Sequence, residues 1–82
     1  MAIVSLRLFA AAREAAGCSS AEIEAHTVGE VLEVARARFG SKFSAVLAGS
    51  RVWIDGEEPG DGDATTVTDG CEVAVLPPVS GG

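Results

Sequence analysis

The stretch that decides the fold of this chain runs Thr27-Val28-Gly29-Glu30-Val31-Leu32-Glu33-Val34-Ala35-Arg36-Ala37-Arg38-Phe39-Gly40. Its apolar residues recur at intervals of three and four, as on one face of a helix. They are Val28, Val31, Leu32, Ala35 and Phe39. Thr27 and Glu30 have the spacing of a capping box, in which Thr27 accepts from the N–H of Glu30 and Glu30 reaches back. The stretch therefore predicts one amphipathic helix that ends at Gly40.

Two segments before this helix alternate between apolar and polar residues, as half-buried strands do. In residues 2–10, Ala2, Val4, Leu6, Leu8 and Ala10 share one parity, and Ile3, Ser5, Arg7 and Phe9 share the other. In residues 20–26, Ala21, Ile23 and Ala25 alternate with Glu22, Glu24 and His26. Between the strands, Ala10–Ala16 is a short run of helix formers that Gly17 can cap.

The segments after the helix predict further strands. Arg51–Ile54 indicates a third strand followed by an Asp55-Gly56 hairpin turn, and residues 71–76 indicate a last one after the Asp69-Gly70 turn. Residues 64–68 favour a short strand or extended edge, whereas residues 41–50 hold an apolar patch in a loop-like context. Two strands, one long helix and two or three strands predict an α+β, ubiquitin-like β-grasp. We expect a mixed sheet of four to five strands with one main helix on one face.

Composition excludes several functions. Six basic residues against twelve acidic ones give a net charge of −6, whereas nucleic acids and anionic membranes require a basic patch. One His, two Cys and no Tyr leave little side-chain chemistry for a self-contained enzyme. The 82 residues suit one domain over residues 1–76 followed by a flexible tail over residues 77–82. The negative charge favours basic protein surfaces as partners.

The two cysteines indicate no metal site. Cys18 and Cys71 lack C-x-x-C spacing, and one His cannot complete a zinc set. Reduced packing cysteines favour a reducing compartment. The apolar stretch before Cys18 is interrupted by Arg7, Arg13 and Glu14, unlike a signal peptide, and no run is long enough to span a membrane. We therefore expect a cytoplasmic protein.

The last six residues, Pro77-Pro78-Val79-Ser80-Gly81-Gly82, predict a tail suited to insertion. The prolines end the strand and favour an extended chain, which reaches about 20 Å. Gly81 and Gly82 lack a Cβ, so the end fits a narrow slot on another protein. Adenylation on a partner enzyme would activate the Gly82 carboxylate, and a sulfur nucleophile could then displace AMP to leave a thiocarboxylate. The alternative is a frayed end without function.

The sequence from Asp69 to Gly82, DGCEVAVLPPVSGG, resembles the C terminus of the MoaD family, the small subunits of molybdopterin synthase among the ubiquitin-like MoaD/ThiS sulfur carriers. Leu8-Phe9-Ala10-Ala11-Ala12-Arg13-Glu14 and Val52-Trp53-Ile54-Asp55-Gly56 are similar to the family's first strand and helix and to its later strand and turn. Cys71 and Trp53 depart from the pattern, because an acidic and a small residue are usual there.

The resemblance implies that this chain is a sulfur-donor subunit that carries no catalytic groups itself. Those groups would lie on a MoaE-like large subunit, with which the chain would form a heterotetramer. A MoeB-like adenylating enzyme would use ATP to activate Gly82, and a sulfurtransferase would supply sulfur. The tail would then deliver that sulfur to cyclic pyranopterin monophosphate in molybdenum cofactor biosynthesis. No cofactor is expected on this chain itself.

Strand parity predicts the partner surface. Phe9, Trp53 and Leu76 fall on the outward parity of their strands, and exposed aromatic and apolar groups mark interfaces. Arg13 is expected to pair with a partner, with solvation of its helix as the alternative. Phe9 and Trp53 could instead fold over the sheet edge into a satellite cluster. Three rival functions stay open: a β-grasp sulfur carrier for cysteine or thiamin biosynthesis, a ubiquitin-like protein modifier, and a non-catalytic interaction domain.

Overall fold

The computed structural model describes residues 2–78, and the elements follow the order β1, α1, β2, α2, α3, β3, β4. Their bounds are β1 Ala2–Leu8, α1 Ala10–Ala16, β2 Ser20–Ala25, α2 Val28–Phe39, α3 Ser41–Ala48, β3 Arg51–Ile54 and β4 Glu72–Leu76. A 3-10 helix covers Gly62–Ala64. None of the helices in this part of the chain has the length and apolarity required to cross a membrane.

The four strands of residues 2–78 form one mixed sheet in the order β2-β1-β4-β3. β1 pairs antiparallel with β2 and parallel with β4, and β3 pairs antiparallel with β4. A parallel pair requires a crossover connection, and the segment containing α2 and α3 supplies most of it. This topology is the predicted α+β, β-grasp arrangement, with β1 and β4 at the centre.

The core lies between one face of the sheet and the helices. Buried sheet residues are Val4, Leu6 and Leu8 of β1, Ile23 and Ala25 of β2, and Val73 and Val75 of β4. The helices contribute Ala12, Val28, Val31, Leu32, Ala35, Phe43 and Leu47. The predicted parities of the strands are confirmed except at Ala10, which was expected on the inward parity of β1 but is exposed and begins α1. The predicted stripe of α2 is confirmed except that Phe39 is only half-buried.

The start of α2 differs slightly from the predicted capping box. Thr27 Oγ1 accepts from the backbone N–H of Glu30 at 3.2 Å, as expected. The Glu30 carboxylate accepts from the N–H of His26 at 2.7 Å, one residue before the cap. The reciprocal bond therefore also fixes the end of β2, because His26 directly follows that strand.

The loop-like interpretation of residues 41–50 is wrong, because Ser41–Ala48 forms a helix. Phe43 and Leu47 lie on one side of this helix, four residues apart, and both are buried in the core. The Phe39 and Phe43 rings lie 5.2 Å apart between centroids across the α2–α3 junction. A helix of eight residues is marginal alone, so its docking on the core stabilises it.

Residues 64–68, for which the sequence favours a short strand or an extended edge, form no strand in the described chain. A 3-10 helix occupies Gly62–Ala64, and only an isolated bridge joins Thr66 to Thr27. The N–H of Val67 donates to the carbonyl of His26 at 2.9 Å, and Val67 is buried. The segment therefore closes the base of α2 without adding a fifth strand to the sheet.

Candidate functional site

The face of the sheet opposite the core carries a patch of apolar residues at one end. The buried residues of all three helices in residues 2–78 belong to the core on the other face. Strand register places Trp53 beside Ala74 and Arg51 beside Leu76. Because Leu8 pairs with Val75, the next residues along, Phe9 and Leu76, are neighbours. We call Phe9, Trp53 and Leu76 the sheet patch.

The exposure of the sheet patch fits a docking surface. Phe9 is 39% exposed, while Trp53 and Leu76 are half-buried. None of the three belongs to the core or to the partly buried residues packed against it. The three residues therefore lie outside the main core, and the satellite-cluster alternative, which concerns contacts outside that core, stays a prediction. The predicted outward placement agrees with the structure, whereas binding of a partner stays a prediction.

Charged residues surround the sheet patch. Arg7 lies with its guanidinium carbon 6.0 Å from the centre of the Phe9 ring, and it pairs with Glu72 at 3.3 Å. Arg51 pairs with Glu58 at 3.5 Å. These exposed ion pairs add little stability. Apolar groups inside a polar rim are the usual anatomy of a protein–protein interface. Arg7 was not among the predicted partner residues, although it shares the parity of Phe9.

The exit of the C-terminal segment adjoins the sheet patch. Leu76 is the last residue of β4, and Pro77 and Pro78 follow outside regular secondary structure. Pro77 is half-buried and Pro78 exposed. Val79, Ser80, Gly81 and Gly82, the rest of the predicted tail, lie outside the described residues. A partner that binds the patch would therefore meet the start of the tail.

Arg13 lies on α1 and is exposed. It takes part in no ion pair among residues 2–78. α1 begins directly after Phe9, which is its N-terminal cap. Arg13 is thus available to a carboxylate on a partner, and its pairing there stays a prediction.

Two turns hold β4 and β1, strands that lead to the sheet patch, through aspartate side chains that accept backbone hydrogen bonds. Asp55 and Gly56 have φ values of +49° and +83°, which both central positions of the tight hairpin turn require. Asp55 Oδ1 accepts from the N–H of Glu72 at 2.8 Å. Asp69 Oδ1 accepts from the N–H of Ile3 at 2.7 Å. Both carboxylates therefore brace β4 and β1, which supports the interpretation of the predicted turns.

The cysteines and acidic residues of residues 2–78 form no group that could hold a metal ion. Cys18 is half-buried, Cys71 is buried, and both thiols are free. Among residues 2–78, no three His, Cys, Asp or Glu side chains come together in a group that could hold a metal.

Comparison with known proteins identifies the family. The sequence model of the ThiS family matches residues 6–82. The chain belongs to the ThiS family. No curated protein matches this ThiS-family chain in sequence.

Solved structures share its whole fold. The small archaeal modifier protein SAMP1 from Methanosarcina acetivorans is 28% identical, with a TM-score of 0.88, and the match covers 100% of this chain and 98% of that one. A putative molybdopterin converting factor subunit 1 from Pyrococcus furiosus is 26% identical, with a TM-score of 0.84, over 96% and 100% of the two chains. A chain from the complex of molybdopterin-converting factor subunits 1 and 2 of Helicobacter pylori is 22% identical, with a TM-score of 0.75, over 98% and 99%. The chain is thus a ubiquitin-like member of the MoaD/ThiS sulfur carriers.

Proposed function

We propose that this chain is the sulfur-carrier subunit of a molybdopterin synthase. Gly82 would provide the carboxylate that is adenylated, converted to a thiocarboxylate, and used to donate sulfur to cyclic pyranopterin monophosphate. The observation that carries this proposal is the sheet patch beside the exit of a Pro-Pro-Val-Ser-Gly-Gly segment. The ThiS family match extends through that segment to Gly82.

Activation of the terminus needs no side chain from the carrier. On a MoeB-like enzyme, the Gly82 carboxylate attacks the α-phosphorus of ATP, and pyrophosphate leaves. A sulfide then attacks the acyl carbon, the bond to the AMP oxygen breaks, and AMP departs with the electron pair. The product is a thiocarboxylate, in which sulfur replaces one carboxylate oxygen. The carrier contributes an accessible backbone end, which two residues without a Cβ keep narrow.

The domain contributes the binding energy that holds this end in place. Phe9, Trp53 and Leu76 would anchor the MoaE-like large subunit, because buried aromatic groups dominate such interfaces. Arg13 would pair with an acidic group of the partner. Pro77 to Gly82 would span about 20 Å when extended, enough to reach a recessed site. The net charge of −6 would steer the carrier toward basic surfaces on its enzymes.

Intact mass spectrometry tests the chemistry. The chain is incubated with ATP, a MoeB-like enzyme and sodium sulfide, and the product is fragmented to locate the change. We expect the mass gain of one sulfur-for-oxygen exchange, assigned to Gly82. A chain lacking Gly82 should gain nothing, while Gly60→Ala should behave as the unaltered chain, since a Cβ at this loop glycine meets no atom within 4 Å. The proposal would be refuted if the unaltered chain showed no exchange while an established sulfur carrier, treated in the same way, reacted.

A binding assay tests the surface. Trp53→Ala and Phe9→Ala should each weaken binding to a MoaE-like subunit by about tenfold or more, because truncation of a buried aromatic anchor costs about 2 kcal/mol. Lys42→Ala is the control, since Lys42 is exposed on α3, in the helical layer. Equal affinities for all four proteins would exclude the sheet patch as the docking site. Formation of molybdopterin by the reconstituted pair separates this acceptor from thiamin and cysteine biosynthesis.

The likeness to SAMP1 favours a second candidate function, a protein modifier joined through Gly82 to lysine amines. That likeness combines 28% identity with a TM-score of 0.88. Incubation of tagged chain with ATP and cell extract would yield ladders that carry Gly82 isopeptide bonds if this function holds. Thiocarboxylate formation without such ladders would favour the sulfur carrier.

A further inference from the structure

The edge of the sheet formed by β2 presents unpaired backbone groups. Within residues 2–78, β2 pairs only with β1, at one end of the strand order. The N–H of Leu8 donates to the carbonyl of Ser19 at 2.9 Å, which sets the phase of this antiparallel ladder. Hydrogen-bonded pairs alternate, so the backbone groups of Glu22 and Glu24 point away from β1. The guanidinium of Arg38 donates to the carbonyl of Glu22 at 3.3 Å, which agrees with this direction. The outward groups left for an added strand are therefore the N–H groups of Glu22 and Glu24 and the carbonyl of Glu24.

A groove lies beside this edge, between β2 and α2. It has a volume of about 420 Å³, and its lining residues are Glu24, His26, Glu30, Glu33, Val34 and Ala37. A second hollow of about 350 Å³ continues along the same edge past Ile3, Glu22 and Arg38, and it shares Glu24 and Val34 with the first. Val34 is 36% exposed. The edge thus combines backbone donors and acceptors with an apolar floor.

The charges along this edge select the chemistry of an occupant. Four acidic residues, Glu22, Glu24, Glu30 and Glu33, are among the lining residues of the two hollows, and Arg38 is the one Arg or Lys among them. Residues on one parity of an added strand would lie beside Glu22 and Glu24 on the open face. Those on the other parity would lie over Val34 and Ala37. Alternating basic and apolar residues satisfy both requirements.

Pairing with a second copy of the same edge is disfavoured. An antiparallel pair centred on Ile23 would place Glu22 opposite Glu24 of the other copy. A register centred on Glu22 places Glu22 opposite Glu22 of the other copy, and a register centred on Glu24 does the same for Glu24. Like charges directly opposite one another destabilise a strand pair. The edge therefore resists self-association, while the N–H groups of Glu22 and Glu24 and the carbonyl of Glu24 face outward, where a strand of opposite charge can pair with them.

We propose that the β2 edge binds an extended basic segment of a partner protein by strand addition. Its basic side chains lie against Glu22 and Glu24, and its apolar side chains fill the groove over Val34 and Ala37. This site lies at the far side of the sheet from Trp53, so it is independent of the sheet patch and of the sulfur chemistry at Gly82.

Fluorescence anisotropy with a labelled heptapeptide of alternating Lys and Val tests the charge requirement. We expect saturable binding, and no binding of the matched peptide of alternating Glu and Val. Glu22→Lys and Glu24→Lys should each weaken binding by about three- to tenfold, as expected when an exposed ion pair is replaced by repulsion. The control Glu57→Lys changes net charge equally but lies beyond β3, at the opposite edge, and should change affinity by less than either. Equal weakening by all three changes would mean nonspecific attraction and overturn the proposal.

A second pair of variants tests strand addition itself. Glu24→Pro removes the outward N–H without removing a ladder bond to β1, a position where an edge strand tolerates proline. Glu24→Gln removes the same charge and keeps that N–H. We expect Glu24→Pro to bind the Lys–Val peptide more weakly than Glu24→Gln, with far-UV circular dichroism confirming that both are folded. Equal affinities of the folded variants, absence of peptide binding, or a dimer of the unaltered chain through β2 in sedimentation would refute the proposal.

Discussion

Replacement of Phe43 by alanine should destabilise the domain far more than replacement of Phe9. Phe43 is 0% exposed and lies in the core, where α3 packs, whereas Phe9 is 39% exposed on the open face of the sheet. The same side chain is therefore deleted from two environments. The comparison separates loss of core packing from loss of an exposed aromatic group.

The magnitude follows from burial. Truncation of a buried Phe to Ala costs about 3–5 kcal/mol, because transfer and cavity costs add. A chain of 82 residues has a free energy of unfolding of about 4–12 kcal/mol, so Phe43→Ala removes a large part of it. At about 4–8 °C per kcal/mol, Tm should fall by at least about 12 °C. Phe9→Ala leaves no closed cavity and should cost about 1 kcal/mol, from partial burial and the contact with Arg7.

Urea unfolding monitored by far-UV circular dichroism and by the fluorescence of Trp53 provides the measurement. Trp53 is the single tryptophan of the chain, and coincidence of the two probes tests two-state behaviour. If Phe43→Ala loses no more stability than Phe9→Ala, α3 does not pack on the core as described. Loss of large-subunit binding by folded Phe9→Ala would add the complementary result that the exposed ring serves recognition.

Three further substitutions test local features, each by urea unfolding. Gly29→Ala should destabilise the domain, because the new Cβ would lie 3.0 Å from the Cβ and 3.1 Å from the carbonyl oxygen of Asp63. This crowding opposes the gain of about 1 kcal/mol that Ala usually has over Gly in a helix. A gain in stability would contradict the close packing, and the control Gly60→Ala should be nearly neutral. Gly56→Ala should cost about 1–2 kcal/mol because φ is +83° there, and an unchanged midpoint would argue against the hairpin turn. Thr27→Ala should cost about 1 kcal/mol through loss of the cap on α2, a loss that Thr27→Ser should largely avoid if the hydroxyl is responsible.

Local patterns predicted most of the secondary structure. The stripe and cap of α2 needed only residues within four positions of one another, and strand alternation needed only neighbours. The turns at Asp55-Gly56 and Asp69-Gly70 were predictable because few residue types suit positive φ. In each case the information lay within a few residues.

The structure differs from the sequence predictions where distant contacts decide the local conformation. The helix α3 is too short to show more than two turns of periodicity. Phe43 stabilises it only through packing against core residues that come from other elements. Residues 64–68 have strand-like composition, but their hydrogen bonds to His26 and the start of α2 hold them outside the sheet. Neither packing arrangement can be deduced from the local sequence.

Alternation along the strands predicts the outward parity of Phe9, Trp53 and Leu76, and the residue types alone show that the Gly-Gly end carries no side chain. Strand pairing brings Phe9 beside Leu76, where the tail begins, and places Trp53 on the same face of the neighbouring strand β3. Sequence patterns do not show this arrangement, because the parallel pairing of β1 with β4 joins segments more than sixty residues apart. The tertiary structure also decided that β2, rather than another strand, lies at the acidic edge beside α2. Alternation fixes the face of each residue because side chains project with a period of two, but the order of strands follows from how the whole chain buries its apolar faces together.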